Sequence, residues 1–66
     1  MSEKFRELLK KKDIHGEQLG RRVGVGRSSV SSWVRGKSKP TLAVIPKIAK
    51  ALDVSIEEIM SCFVEV

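Results

Sequence analysis

The sequence predicts an all-α fold, a single domain of five short helices. Three observations predict it. Apolar residues recur at spacings of three and four along the chain, and strict alternation occurs only in the last few residues. Helix start and stop signals recur in the right order to delimit each segment. A length of 66 residues allows one small core, in which roughly 60% of the unfolded chain's surface leaves water. No repeat, low-complexity tract or interdomain linker interrupts the pattern.

The first helix is expected over about residues 2–12, with Ser2 as N-cap and Phe5, Leu8, Leu9 and Lys12 in i, i+3, i+4, i+7 register. Asp13 ends it. The second runs over about 16–23, with His15 at the N-cap, Gln18 at N3, and Ile14 and Leu19 placed as a hydrophobic staple. Gly24 stops it, because a residue after the last turn must adopt the left-handed conformation. The third, about 27–35, follows Gly26 as N-cap with Val25 and Val30 as its staple, and Gly36 stops it. The fourth has Thr41 as a start signal and Leu42, Ile45, Ile48, Ala49 and Leu52 on one side. Pro46 opposes a regular helix there, so residues 41–44 should form an irregular or 3₁₀ turn with Pro46 among the first α positions. The fifth opens on Ser55 and Glu58 as a capping box, flanked by Val54 and Ile59. Met60, Cys62, Val64 and Val66 then alternate with Ser61, Phe63 and Glu65, which fits a short C-terminal strand. The domain thus occupies residues 1–60, and 61–66 form a tail.

Composition narrows the function. The chain carries 13 Lys and Arg against 8 Asp and Glu, a formal charge of +5. Residues 1–40 hold eleven basic and four acidic side chains (net +7), and residues 41–66 hold two and four (net −2). A basic front half points to a polyanion, nucleic acid first. The single cysteine makes no internal disulfide framework, and His, Cys, Asp and Glu nowhere cluster at metal-ligand spacing. His15 has no nearby nucleophile, and no apolar run approaches the ~18 residues of a membrane span. The expectation is a cytoplasmic binding protein, without catalytic residues, metal, cofactor, membrane contact or small-molecule ligand.

The spacing at 16–35 meets the demands of a helix-turn-helix position by position. Counting from Gly16, the fifth residue must be small where the helices cross, and it is Gly20; the ninth must tolerate positive φ, and it is Gly24. Positions 4, 8, 10, 15 and 18 must be apolar, and they are Leu19, Val23, Val25, Val30 and Trp33. With these residues, the Arg35-Gly36-Lys37…Pro40 segment and the Leu52-Asp53-Val54-Ser55 link, the chain from about Phe5 to Met60 resembles the Cro/repressor-type helix-turn-helix domains of phages and bacteria, the lambda repressor-like fold. The resemblance implies a five-helix bundle that binds double-stranded operator DNA as a dimer and regulates transcription. A proline at the place of Pro46 also occurs in that family. The sequence departs from it at His15 (usually Ser or Thr), Gly16 (usually a phosphate-gripping Gln), Gly20 (usually Ala) and Val34 (usually Glu).

If Val30 and Trp33 face inward, Arg27, Ser28, Ser31, Ser32 and Arg35 face out. Arg27, at the helix start, suits bidentate reading of guanine, and Ser28, Ser31 and Ser32 suit weaker readout of base edges. Phosphate contacts are expected from the backbone of Gly16 and Glu17, from Gln18, Arg21 and Arg22 on the second helix, and from Arg35, Lys37, Ser38 and Lys39 after the third. Lys10, Lys11 and Lys12 are distal phosphate contacts at most, and Trp33 belongs to the core. For the tail, two placements stay open: Ile59, Met60, Cys62, Phe63 and Val64 form a homodimer interface, the favoured reading, or Phe63 and Val64 fold back beside the first helix. An alternative class is an antitoxin-type interaction module that also binds DNA. An RNA-binding or nonspecific chromatin protein would want more stacking aromatics than Trp33.

Overall fold

The computed structural model describes residues 3–63, and these are all-helical or loop: α1 (Glu3–Lys11), α2 (Gly16–Val23), α3 (Arg27–Arg35), α4 (Ile45–Leu52) and α5 (Ile56–Phe63). This is the expected five-helix, helix-turn-helix bundle, with no strand among the described residues. The Ser2 N-cap and the Val64 and Val66 positions lie outside those residues.

The core forms where the apolar faces meet. Phe5, Leu19, Val30, Ile48, Leu52 and Ile59 are the largest fully buried side chains, and all five helices contribute to them. Phe5 is the hub. Its ring meets Trp33 of α3 edge-on at 6.5 Å and 71°, and Phe63 of α5 at 4.9 Å and 51°, geometries favoured by the ring quadrupole.

Helix termini follow the sequence signals. Gly24 closes α2 at φ 85°, ψ 30°, where a side chain would be strained. Asp13 and Asp53 take the same left-handed region (φ 54° and 56°) without glycine's freedom. The α4 segment starts late, as Pro46 required: the Thr41 carbonyl accepts from the Val44 N–H (3.0 Å) and the Ile45 N–H (3.1 Å), and α begins at Ile45 with Pro46 in the first turn. At α5 the Ser55 hydroxyl accepts from the Glu58 N–H at 3.1 Å.

Three expectations are corrected. Leu42 is 77% exposed and outside the core, because the helix begins three residues after it and its turn is out of phase with the Ile45 stripe. Met60–Phe63 is helix, continuing α5 past the expected boundary at residue 60. Ile59 and Phe63, four residues apart on one face, are buried within the domain, so neither is left on the surface for a dimer interface. A strand at 60–63 would have had no partner, whereas helix places the Phe63 ring on Phe5.

Candidate nucleic-acid interface

The helix-turn-helix unit is set by one close approach. A Cβ on Gly20 would lie 2.7 Å from the Val25 carbonyl oxygen, so α2 can run this near the turn only with hydrogen at that position. The Gly20 carbonyl in turn accepts from the Gly24 N–H (2.8 Å) and the Val25 N–H (2.9 Å), which fixes the turn that launches α3.

On α3 the division into faces follows. Val30 and Trp33 are buried; Arg27, Ser28, Ser31 and Arg35 are exposed; Ser32 and Val34 are half-buried. Ser32 therefore sits at the edge of the outward face rather than within it. The C-terminal turn bends back at Gly36, with the Lys37 N–H on the Ser32 carbonyl at 2.9 Å. Lys37, Ser38 and Lys39 then run exposed to a buried Pro40 that pins the loop.

The α2 candidates differ in their engagement. The Gln18 side chain accepts from the His15 N–H at 2.9 Å and so caps the helix. Gly16 is half-buried, and a Cβ there would rest 3.4 Å from Val30 Cγ1. Glu17 is held by Arg21 at 3.3 Å in an exposed i, i+4 pair, which stabilises by less than about 0.5 kcal/mol. Arg22 turns the other way. Its guanidinium donates to the Ala51 carbonyl at 3.1 Å, near the C-terminus of α4, where a cation also meets the negative end of the helix dipole. The bond ties α2 to α4, a role for Arg22 beside the expected phosphate contact that its position in the sequence could not reveal.

Arg6 joins this surface although no sequence motif marks it. It lies on α1 and lines a cleft of about 410 Å³ together with His15, Gly16, Arg27, Ser31 and Arg35. A signal for the wider surface was present: between Glu17 and Asp53 the chain has eight Lys and Arg and no Asp or Glu.

Chemically the rest of the surface is plain. Among the described residues no group of His, Cys, Asp and Glu could hold a metal, and no helix is long and apolar enough to cross a membrane. Cys62 is half-buried beside a second cleft of about 330 Å³ between α1 and α5. Burial pushes its thiol up, Glu58 adds to this, and Lys4 opposes it, which keeps the sulfur protonated and a poor nucleophile.

Comparison with known proteins agrees with this geometry. The helix-turn-helix family model HTH_3 matches residues 5–59. The chain is 32% identical over 60 residues to the cryptic phage CTXphi transcriptional repressor RstR of Vibrio cholerae, covering 91% of this chain and 54% of that protein. It is 33% identical to the transcriptional activator BcrR of Enterococcus faecalis, covering 91% of this chain and 29% of that protein. An HTH-type transcriptional regulator of Archaeoglobus fulgidus is 34% identical over 59 residues, covering 89% of this chain and 83% of that one. The chain thus spans about half of the phage repressor and under a third of the activator. No solved structure matches it significantly.

Proposed function

The chain belongs to the helix-turn-helix family of transcriptional regulators, a non-enzymatic DNA-binding family, and from that premise we propose a sequence-specific regulator that binds double-stranded operator DNA as a homodimer. The observation that carries this reading is the outward face of α3. Arg27, Ser28 and Ser31 stand exposed over buried Val30 and Trp33, in a stretch of chain with no acidic residue. That face enters the major groove, with Arg27 reading a guanine through its fork of donors and the serines, Ser32 at the edge, contributing weaker or water-mediated readout. The Gly16 and Glu17 backbone, Arg21, Arg35, Lys37, Ser38 and Lys39 hold the flanking phosphates.

Two such helices about 34 Å apart would read a palindromic site. Dimerisation draws on apolar side chains outside the core: Ile56 (46% exposed) and Met60 (38%), one turn apart on α5, together with Leu42. Cys62, half-buried on the same helix, lies on its other side, lining the cleft with α1. The setting we propose is a phage or mobile-element repressor of Cro type, cytoplasmic and nucleoid-associated when bound. The repressor among the similar proteins supports it.

Selection of bound sites from a random duplex pool, followed by fluorescence anisotropy against salt, tests the reading. With ~4 phosphates neutralised per protomer, log K should fall with log salt at a slope near −7 for the dimer. A slope flatter than about −2, or no enriched sequence, refutes it. Arg27→Ala should cost about 1–3 kcal/mol and relax preference at one base position, whereas Lys37→Ala should weaken all duplexes alike. Sedimentation equilibrium of a variant carrying Ile56→Glu and Met60→Glu should show a monomer; an unchanged dimer places the interface elsewhere.

A further inference from the structure

The cleft between α1 and α3 is lined by three arginines, Arg6, Arg27 and Arg35. Its base is apolar, formed by buried Leu9 and Val30 and half-buried Val34. A single carboxylate borders it, Glu17, and that group is held by Arg21. Among the described residues, Arg6, Arg27 and Arg35 make no ion pair. Three like charges on one cleft without a free counter-charge repel one another, and the arrangement is complementary to an anion.

Resting on the duplex-DNA reading above, we propose that Arg6 makes α1 a third side of the DNA-binding surface, and that this cleft takes the sugar-phosphate backbone of one strand. The two parts of the cleft match the two parts of that ligand. The guanidinium forks of Arg6 and Arg35 pair with phosphate oxygens, Arg27 being left to the base edge beyond, and the deoxyribose has an apolar flank that fits against Leu9 and Val34. The cleft, about 410 Å³ and open to solvent, leaves a backbone strand free to run across it. Arg6 lies on the α1 face turned to α3, whereas Lys4 of the same helix lines the separate cleft with α5.

The test uses the full chain and compares Arg6→Ala with Lys4→Ala, which removes the same charge from the same helix on another face. Binding is read by anisotropy on the selected operator and on a random duplex across a salt series. Arg6→Ala should weaken both duplexes alike by about 3–10-fold and flatten the salt slope by ~0.9 per protomer, with Lys4→Ala changing both much less. Arg6→Lys should restore most of the slope, since it keeps the charge and loses only the fork. Arg6 is exposed, so thermal melts of the variants should overlay the parent. Equal effects of Arg6→Ala and Lys4→Ala overturn the proposal, as does a loss confined to the operator, which would mean base reading instead of backbone contact. If the unaltered chain itself binds without a steep salt slope, the DNA reading fails, an outcome distinct from either.

Discussion

Replacing Gly20 by alanine sets two effects of opposite sign against each other. In a helix interior alanine is about 1 kcal/mol more favourable than glycine, so local propensity alone predicts stabilisation. The structure predicts the reverse. The new Cβ would lie 2.7 Å from the Val25 carbonyl oxygen, a backbone atom, in a turn already fixed by two hydrogen bonds to the Gly20 carbonyl. Relief requires α2 to move off the turn by roughly half an ångström, and such overpacking costs about 1–3 kcal/mol. Even after the propensity gain, a net loss of ~1 kcal/mol remains, or ~4–8 °C in Tm for a domain of this size. Gly16→Ala is the control on the same helix, because its Cβ meets Val30 Cγ1 at an ordinary 3.4 Å; its stability should be unchanged or slightly raised. Urea and thermal melts followed by circular dichroism read both. If Gly20→Ala is as stable as the parent or more so, the close approach does not set the helix spacing and the reasoning is wrong.

Three further predictions concern the core and the helix ends. Phe63→Ala removes one of the two rings packed on Phe5 and should cost about 3–5 kcal/mol, enough to unfold much of the population at 37 °C, whereas Met60→Ala should change a urea midpoint little. Arg22→Ala should lower stability by about 1 kcal/mol through loss of the bond to the Ala51 carbonyl and leave the salt slope of DNA binding nearly unchanged; a slope flattened by ~0.9 per protomer would show that Arg22 also holds a phosphate. Asp13→Gly relieves a left-handed φ of 54° and removes a carboxylate from the C-terminal end of α1, so the chemical-denaturation midpoint should rise by the equivalent of about 0.5–1.5 kcal/mol.

Legibility in the sequence followed how local each determinant is. The bounds of α2 and α3 could be read because Gly24 and Gly36 stop them and the stapled apolar pairs start them, all within a few residues. The late start of α4 was readable from Pro46 alone. What escaped depended on contacts distant along the chain. The side chains of Met60–Phe63 alternate in a way a strand and a helix end both satisfy, and only Phe5, at the other end of the sequence, decides between them. Arg22 looks like any surface arginine until Ala51, 29 residues away, arrives beside it. Arg6 reads as one more charge on an amphipathic helix. It shares a cleft with Arg27 and Arg35 only once α1 packs across α3. The outward residues of α3 were legible as a set, since Val30 and Trp33 orient the whole helix, although burial moves Ser32 to the edge.

The Phe5–Phe63 contact also orders events in time. Its partners are separated by nearly the whole described chain, so loop closure delays it relative to the helix-turn-helix contacts, which are local. During synthesis the recognition segment therefore emerges well before the ring that completes its support. The core that supports α2 and α3 is therefore closed by a contact between the two ends of the described chain, made in the last turn of α5.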